Sequence, residues 1–215
     1  MPFDQYISTP LGASIALWHL TEEKTELSSR LAEDERKLIE SRRLSPKRFC
    51  EQAATRLLLN SLKETRDAQI AYAESGKPYL LHRPGHLSIS HSGQWVAIAY
   101  HPLVPIGIDI EQIGTKVERV AERVLNDKEL NAYGQPLPTH IEWLHLCWSA
   151  KEALFKAIPE GGIDFRAHLH LSAPLSLDKE GTFTARETRT AAAKEYTLWY
   201  RIFDTFVLVC AVPLQ

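Results

Sequence analysis

The sequence predicts an α+β protein, and three observations carry that expectation. Stretches of period two, with apolar residues at alternate positions, recur along the chain, and stretches of period 3.6 lie between them. Beyond Gly161 the patterning is β alone. With 215 residues, 44% hydrophobic and 24% charged, the chain can bury one substantial core or two small ones, and its composition is neither disordered nor membrane-like.

In order, Ala13 to Leu20 places Ala16, Trp18 and Leu20 on one face and reads as a strand. A polar helix is expected from Ser28 to Leu44. A better defined one starts at Ser45, an N-cap ahead of Pro46, with Phe49, Ala53 and Leu57 beside Cys50, Ala54 and Leu58 on its buried face. The exposed side is basic, carrying Arg36, Lys37, Arg42, Arg43, Lys47, Arg48 and Arg56. It is either a solvated helical face or a landing site for phosphate groups. Gly76-Lys77-Pro78 is a turn, since Gly permits positive φ and Pro fixes the next bend, and it presents Lys77. Leu87 to Tyr100 reads as a hairpin turning at Ser92-Gly93, with His91 at its mouth and Ser90 beside it.

The central stretch runs from Ile106 to Lys156. Ile106, Ile108 and Ile110 give the alternation of a half-buried strand, which puts Gly107, Asp109 and Glu111 on the other face. At roughly 6.6 Å between Cα atoms the two carboxylates can converge on one hard cation; an edge strand with a solvated outer face has the same pattern. An amphipathic helix follows, marked by Val117, Val120, Ala121, Val124 and Leu125. After the loop Gln135 to Pro138, Thr139 and Glu142 form a capping box. It opens a long helix through Leu144, Cys147, Trp148, Phe155 and Ile158, stopped by Pro159 and Gly161. Glu152 and Lys156 lie one turn apart on it, which by itself is a surface pair worth about 0.3 kcal/mol. Strands are expected at His168 to Leu171, Thr182 to Thr184, Tyr196 to Phe203 and Phe206 to Val212. His168 and His170 share an exposed strand face with no third metal ligand near.

Several classes are disfavoured. A net charge of −2 argues against a general nucleic-acid binder. Three widely spaced cysteines form neither a disulfide framework nor a zinc pattern, which points to a reducing compartment. The N-terminus has no signal-like pattern and the longest apolar β run is too short to span a bilayer, so a cytosolic protein without membrane partners is expected.

Four motifs follow one another: Gly76-Lys77-Pro78, Ser88-Ile89-Ser90-His91-Ser92-Gly93, Gly107-Ile108-Asp109-Ile110-Glu111, and Trp148-Ser149 with Lys151-Glu152-Ala153 and Lys156. In this order they resemble the 4'-phosphopantetheinyl transferases, in particular the surfactin-synthetase-activating type, over roughly residues 30 to 165. The resemblance implies two similar α/β halves related by a pseudo-twofold with the active site between them. Here the halves are residues 1–103, with the coenzyme A nucleotide contacts, and 104–215, with the carboxylates and catalytic helix. It implies transfer of 4'-phosphopantetheine from coenzyme A to a serine of an acyl or peptidyl carrier protein, by a monomer. Asp109, Glu111 and Glu152 would then hold Mg²⁺. Glu152 would take the serine proton directly or through water, and Lys156 would stabilise or protonate the leaving bisphosphate. Coenzyme A would be met by Arg48, Arg56, Lys77, Pro78, Ser90, His91, Asp109 and Lys156, with His91 at the 3'-phosphate. Lys151 is either a nucleotide contact or solvated. Arg123 to Glu129 departs from the family pattern, which usually has phenylalanine where Val124 or Leu125 stands; this bears on the carrier-docking surface. The alternatives are a non-catalytic module binding coenzyme A or a carrier, and another Mg²⁺-dependent enzyme acting on a phosphoanhydride.

Overall fold

The computed structural model describes residues 3–132, 140–172 and 177–214. The chain opens with β1 (Phe3–Ser8) and β2 (Ser14–His19), then the helices α1 (Lys24–Arg30), α2 (Glu33–Ser41) and α3 (Pro46–Ser61). A short ribbon of β3 (Gln69–Tyr72) and β4 (Pro78–Leu81) precedes the hairpin β5 (His86–Ser92) and β6 (Trp95–His101). Next come β7 (Gly107–Gln112), α4 (Val117–Val124), α5 (Asp127–Ala132), α6 (His140–Ala157) and α7 (Phe165–His168). The last strands are β8 (Leu169–Ser172), β9 (Glu180–Glu187), β10 (Glu195–Ile202) and β11 (Phe206–Pro213). The α+β class is as expected. The expected capping box at Thr139 and the loop Gln135 to Pro138 lie outside the described residues.

Two antiparallel sheets form, β1-β2-β6-β5 and β7-β11-β10-β9-β8. Helix α3 begins where its sequence directs: the Ser45 hydroxyl accepts from the Arg48 N–H, and Pro46 occupies the first turn, where no N–H is needed. Its Phe49, Ala53, Ala54 and Leu58 pack with Ala16, Trp18 and Ile98 of the first sheet. Leu146, Ala150, Ala153 and Leu154 of α6 pack with Leu198, Val207 and Val209 of the second. A third core joins the remaining faces, with Ile15, Leu17 and Ala97 against Ile108, Ile110, Leu208 and Cys210. The central strands of both sheets are therefore covered on both sides, whereas β9 keeps one exposed face, and β2 has two buried faces where its sequence suggests one.

The same correction applies to β7. Its isoleucines face the inter-sheet core, but Gly107, Ile108, Asp109 and Ile110 are all buried, so the strand is neither half-buried nor a solvated edge. Helix α6 lies on the carboxylate face. At Gly107 an added Cβ would stand 1.8 Å from the Ala153 carbonyl oxygen, so this close approach requires glycine.

β5 runs beside β7 without a main-chain ladder. The hydroxyls of Ser88, Ser90 and Ser92 accept the N–H groups of Ile108, Ile110 and Gln112 at 3.0, 3.3 and 3.2 Å. A row of serines at alternate positions thus joins the two sheets, and Ser88 and Ser90 satisfy the buried amides of Ile108 and Ile110, which would otherwise be unpaired.

Other expectations shift in detail. The hairpin turns at Gly93-Gln94, one residue late, with φ of 60° at Gly93 as tight two-residue turns favour. The polar helix of 28–44 is two helices, broken at Leu31-Ala32. His168 and His170 do not share a strand face: His168 ends α7 and accepts the Asp164 N–H at 2.9 Å, while His170 meets the Thr188 hydroxyl at 3.2 Å. β1, β3 and β4 have no counterpart in the sequence reading.

Candidate active site

The approach of α6 over Gly107 brings Lys156 onto Asp109. The Lys156 ammonium donates to Asp109 Oδ1 at 2.8 Å, to the Ser90 hydroxyl at 3.0 Å and to the Ile108 carbonyl at 3.0 Å. Ser90 in turn donates to the same Asp109 oxygen at 2.9 Å. The expected Glu152–Lys156 surface pair does not form, because Asp109 has taken the lysine. Asp109 is 3% exposed, and its other oxygen, Oδ2, has no hydrogen-bond partner among the described residues.

Glu111 is gripped from two elements. Ser92 donates to its Oε2 at 2.9 Å and the Trp148 indole to its Oε1 at 3.3 Å. Burial above all, and then the charge of Asp109, push the Glu111 carboxyl up from its usual range; the Ser92 and Trp148 hydrogen bonds pull the other way. Glu152 makes no hydrogen bond or ion pair among the described residues. Burial first and the charge of Asp109 next raise it to about 7, with Lys156 opposing.

Three carboxylates thus face one ammonium. In donor chemistry this suits a hard cation such as Mg²⁺: the groups offer oxygen only, one buried oxygen is orphaned, and Lys156 offsets only part of their mutual repulsion. As placed, no three such groups among the described residues close on a common point. A cation would have to draw the side chains together.

The basic residues divide. Arg48 of α3 and His91 of β5 come together, Arg48 Nη1 donating to His91 Nε2 at 2.8 Å and to Glu51 Oε2 at 2.9 Å. With Tyr72 and Pro78 they line a cavity of about 230 Å³. A cavity of about 480 Å³ shares the Gly76-Pro78 wall and is lined by Lys77, Phe155 and Lys156. Lys77 is not a free loop cation: its ammonium donates to the Ile158 carbonyl and lies 3.5 Å from those of Phe155 and Lys156, capping the C-terminal end of α6. Burial lowers its pKa.

Arg56 and Lys151 correct the reading more sharply. Arg56 is 2% exposed, not on an open basic face. Its Nη1 donates to the Gln52 carbonyl at 3.0 Å, and burial lowers its pKa. Lys151 is neither solvated nor a nucleotide contact as placed. It is fully enclosed and paired with Glu129 at 2.7 Å.

Ser92, Trp148 and Glu51 are the residues the sequence reading left without a role. The alternation Ser88-Ser90-Ser92 was the available signal, since period two puts all three hydroxyls on one face. Trp148 was marked only as part of a motif and of the apolar helix face, since its partner Glu111 lies 37 residues away, and nothing marked Glu51, which pairs with Arg48 three residues before it and lies near His91, 40 residues on.

An all-oxygen donor set lies at the seam of two sheets, with cavities walled by Arg48, His91, Lys77 and Lys156 beside it, an arrangement whose chemistry suits the class of proteins that handle phosphorylated ligands. The comparisons narrow the class. Residues 105–211 match the sequence model of the 4'-phosphopantetheinyl transferase superfamily, and the chain belongs to that superfamily. The matched segment holds Asp109, Glu111, Glu152 and Lys156. The chain is also similar to the 4'-phosphopantetheinyl transferase Sfp of Bacillus subtilis (strain 168), at 30% identity over 118 residues, 52% of this chain and 52% of that protein. It is 36% identical to the 4'-phosphopantetheinyl transferase psf-1 of Bacillus pumilus over 89 residues, 40% of this chain and 38% of that protein. The matches span about half or less of the length of these relatives.

Proposed function

We propose that the protein transfers 4'-phosphopantetheine from coenzyme A to a serine hydroxyl of an acyl or peptidyl carrier protein, releasing adenosine 3',5'-bisphosphate. The observation that carries this reading is the meeting of Lys156, Asp109 and Ser90, from three different elements, beside an unpartnered Glu152 carboxylate. Phosphoryl transfer needs positioned charge more than covalent chemistry from the protein.

Each residue has a task in this reading. Lys156, 25% exposed, lies within reach of an arriving pyrophosphate and offsets charge on the departing bisphosphate or protonates it. Glu152 takes the serine proton; a base whose pKa lies near the working pH is the most effective kind. Arg48 and His91 meet the 3'-phosphate, with Glu51 holding the guanidinium in place. Pro78 and Lys77 wall the nucleotide side. Asp109, Glu111 and Glu152 would hold Mg²⁺, which supplies neutralisation of the pyrophosphate charge when bound. Arg56, as placed, donates to the Gln52 carbonyl within α3, and its Nη2 is buried without a hydrogen-bond partner among the described residues.

We further read residues 1–103 and 104–215 as two similar halves related by a pseudo-twofold, with the serine row at their junction, in a monomer that works in the cytoplasm. Free, buried Cys50, Cys147 and Cys210 suit a reducing compartment, and among the described residues no helix is long and apolar enough to cross a membrane. The test is to incubate the full chain with apo-carrier protein, coenzyme A and Mg²⁺ and weigh the carrier. The expected result is a gain of one phosphopantetheinyl group. No gain with fatty-acid, polyketide or peptide-synthetase carriers would overturn the reading.

A further inference from the structure

We infer that Ser92 is a positioning residue for the Glu111 carboxylate, and that its one hydroxyl couples the junction of the two sheets to the cation site. The inference rests on the proposed reading of Glu111 as a Mg²⁺ ligand.

A serine hydroxyl has one proton to give and two lone pairs to receive. All three hydroxyls of the β5 row spend a lone pair on a β7 amide. They differ in what they do with the proton. Ser88 gives its proton to no carboxylate among the described residues, Ser90 gives it to Asp109 and Ser92 to Glu111, each at 2.9 Å. The β7 carboxylates are therefore oriented from across the seam by the same atoms that hold the seam together.

Glu111 has more need of this than Asp109. A glutamate side chain has an additional rotatable bond, and holding it in one conformation opposes its rotamer entropy. Asp109 is pinned by a short side chain and by Lys156, whereas Glu111 has no ion-pair partner among the described residues. Its orientation depends on two donors from different elements, Ser92 on Oε2 and Trp148 on Oε1. Each carboxylate oxygen keeps a second lone pair for a cation. Trp148 comes from α6, four residues before Glu152, so the brace also fixes Glu111 relative to the third carboxylate.

The row contains its own control. Ser88→Ala removes one seam bond with no carboxylate attached, while Ser92→Ala removes a seam bond and the brace. Ser92→Thr keeps the hydroxyl. The experiment is calorimetric titration of the full chain with Mg²⁺, with and without coenzyme A, for the parent and these three variants, alongside thermal unfolding. Ser92→Ala is expected to bind Mg²⁺ on the order of tenfold to a hundredfold more weakly, as loss of a group orienting a metal ligand does elsewhere. Ser92→Thr is expected to restore most of that affinity. Ser88→Ala is expected to lower Tm and leave the affinity at the parent value. Parent-like Mg²⁺ affinity in Ser92→Ala, or equal weakening in Ser88→Ala, would overturn the inference while leaving Glu111 as a ligand. Absence of Mg²⁺ binding by the parent in both conditions would overturn the ligand reading itself, and the inference with it.

Discussion

Lys151 and Lys156 stand on the same helix, five residues apart, and each pairs with a carboxylate at nearly the same distance, 2.7 and 2.8 Å. Around Lys151 everything is closed. Its ammonium also donates to the Val124 and Phe165 carbonyls at 2.7 and 3.0 Å, and Glu129 receives the amides of Asn126 and Leu171, both at 2.8 Å. Three protons meet three acceptors and both carboxylate oxygens are engaged. Around Lys156 the lysine is equally satisfied, but Asp109 keeps one buried oxygen without a partner and two further carboxylates crowd the pair. A complete pair ties α6 to α5, α7 and β8; an incomplete one leaves capacity for a ligand. Completeness of hydrogen bonding separates a structural ion pair from a site more cleanly than the residue types do.

The largest effect expected from this difference is on stability. Lys151→Met leaves the Glu129 charge buried and uncompensated, which costs about 3–5 kcal/mol, and an apolar replacement of both partners recovers much of it. Lys156→Met is expected to cost less, and added Mg²⁺ is expected to offset the loss there and not at Lys151. Urea unfolding of the two variants, each with and without Mg²⁺, measures both. Equal losses, or rescue of both by Mg²⁺, would break the comparison.

A smaller effect is expected from pH. Glu152 is raised to about 7 in the folded chain from 4.5, so the folded state binds the proton more tightly than the unfolded state. The stability it contributes is fully present below pH 4.5 and is lost as pH rises through about 7, on the order of 3 kcal/mol before solvent screening reduces it. Glu111, also raised, acts in the same direction. The metal-free protein should therefore lose stability between pH 4.5 and 7, and Glu152→Gln should flatten that slope. Thermal unfolding across this range checks it; an unchanged slope in the variant would mean the carboxylates are not crowded as described.

How much of this was legible in the sequence depends on range. Ser45-Pro46, the β5–β6 hairpin and the alternation in β7 are local patterns, and each appears within a residue or so of its expected place. The site residues on β7 and α6 were legible as motifs, because Asp-x-Glu and Glu-x-x-x-Lys each put two groups on one face. What period and motif do not carry is what covers a face. The isoleucines of β7 say nothing of α6 on its other side, and only the demand for glycine at position 107 hints at it. Lys151 looked like a surface lysine because Glu129 and Phe165 reach it from distant segments. Arg56 fits an amphipathic basic stripe, yet it is buried, and Lys77 is held at the end of a helix 78 residues away. The ribbon of β3 and β4 has four residues per strand, too few to show a period.

The smallest effect tests the rule at the rim, where Arg48, His91 and Glu51 form a cluster closed on one side and open on the other. Glu51 is buried, whereas the side chains of Arg48 and His91 are 58% and 39% exposed. His91 Nε2 accepts from Arg48, so the ring orients the guanidinium as well as lining the cavity, and the two should act as a unit on any phosphate that enters. In the proposed reading that phosphate is the 3'-phosphate of coenzyme A, remote from the reacting bond, so loss of the contact should act on binding. His91→Ala is expected to raise the KM for coenzyme A with a smaller change in kcat, the mark of an interaction made equally in ground and transition states. It should also narrow the preference for coenzyme A over its 3'-dephospho form by on the order of tenfold to a hundredfold, the worth of a hydrogen bond to a charged group. Because His91 positions Arg48, the double variant with Arg48→Ala should lose less than the sum of the two single losses. Strict additivity would mean that the two residues bind separately. Undiminished discrimination in His91→Ala would make His91 a structural residue of the hairpin, and the open side of this cluster would then mark no site.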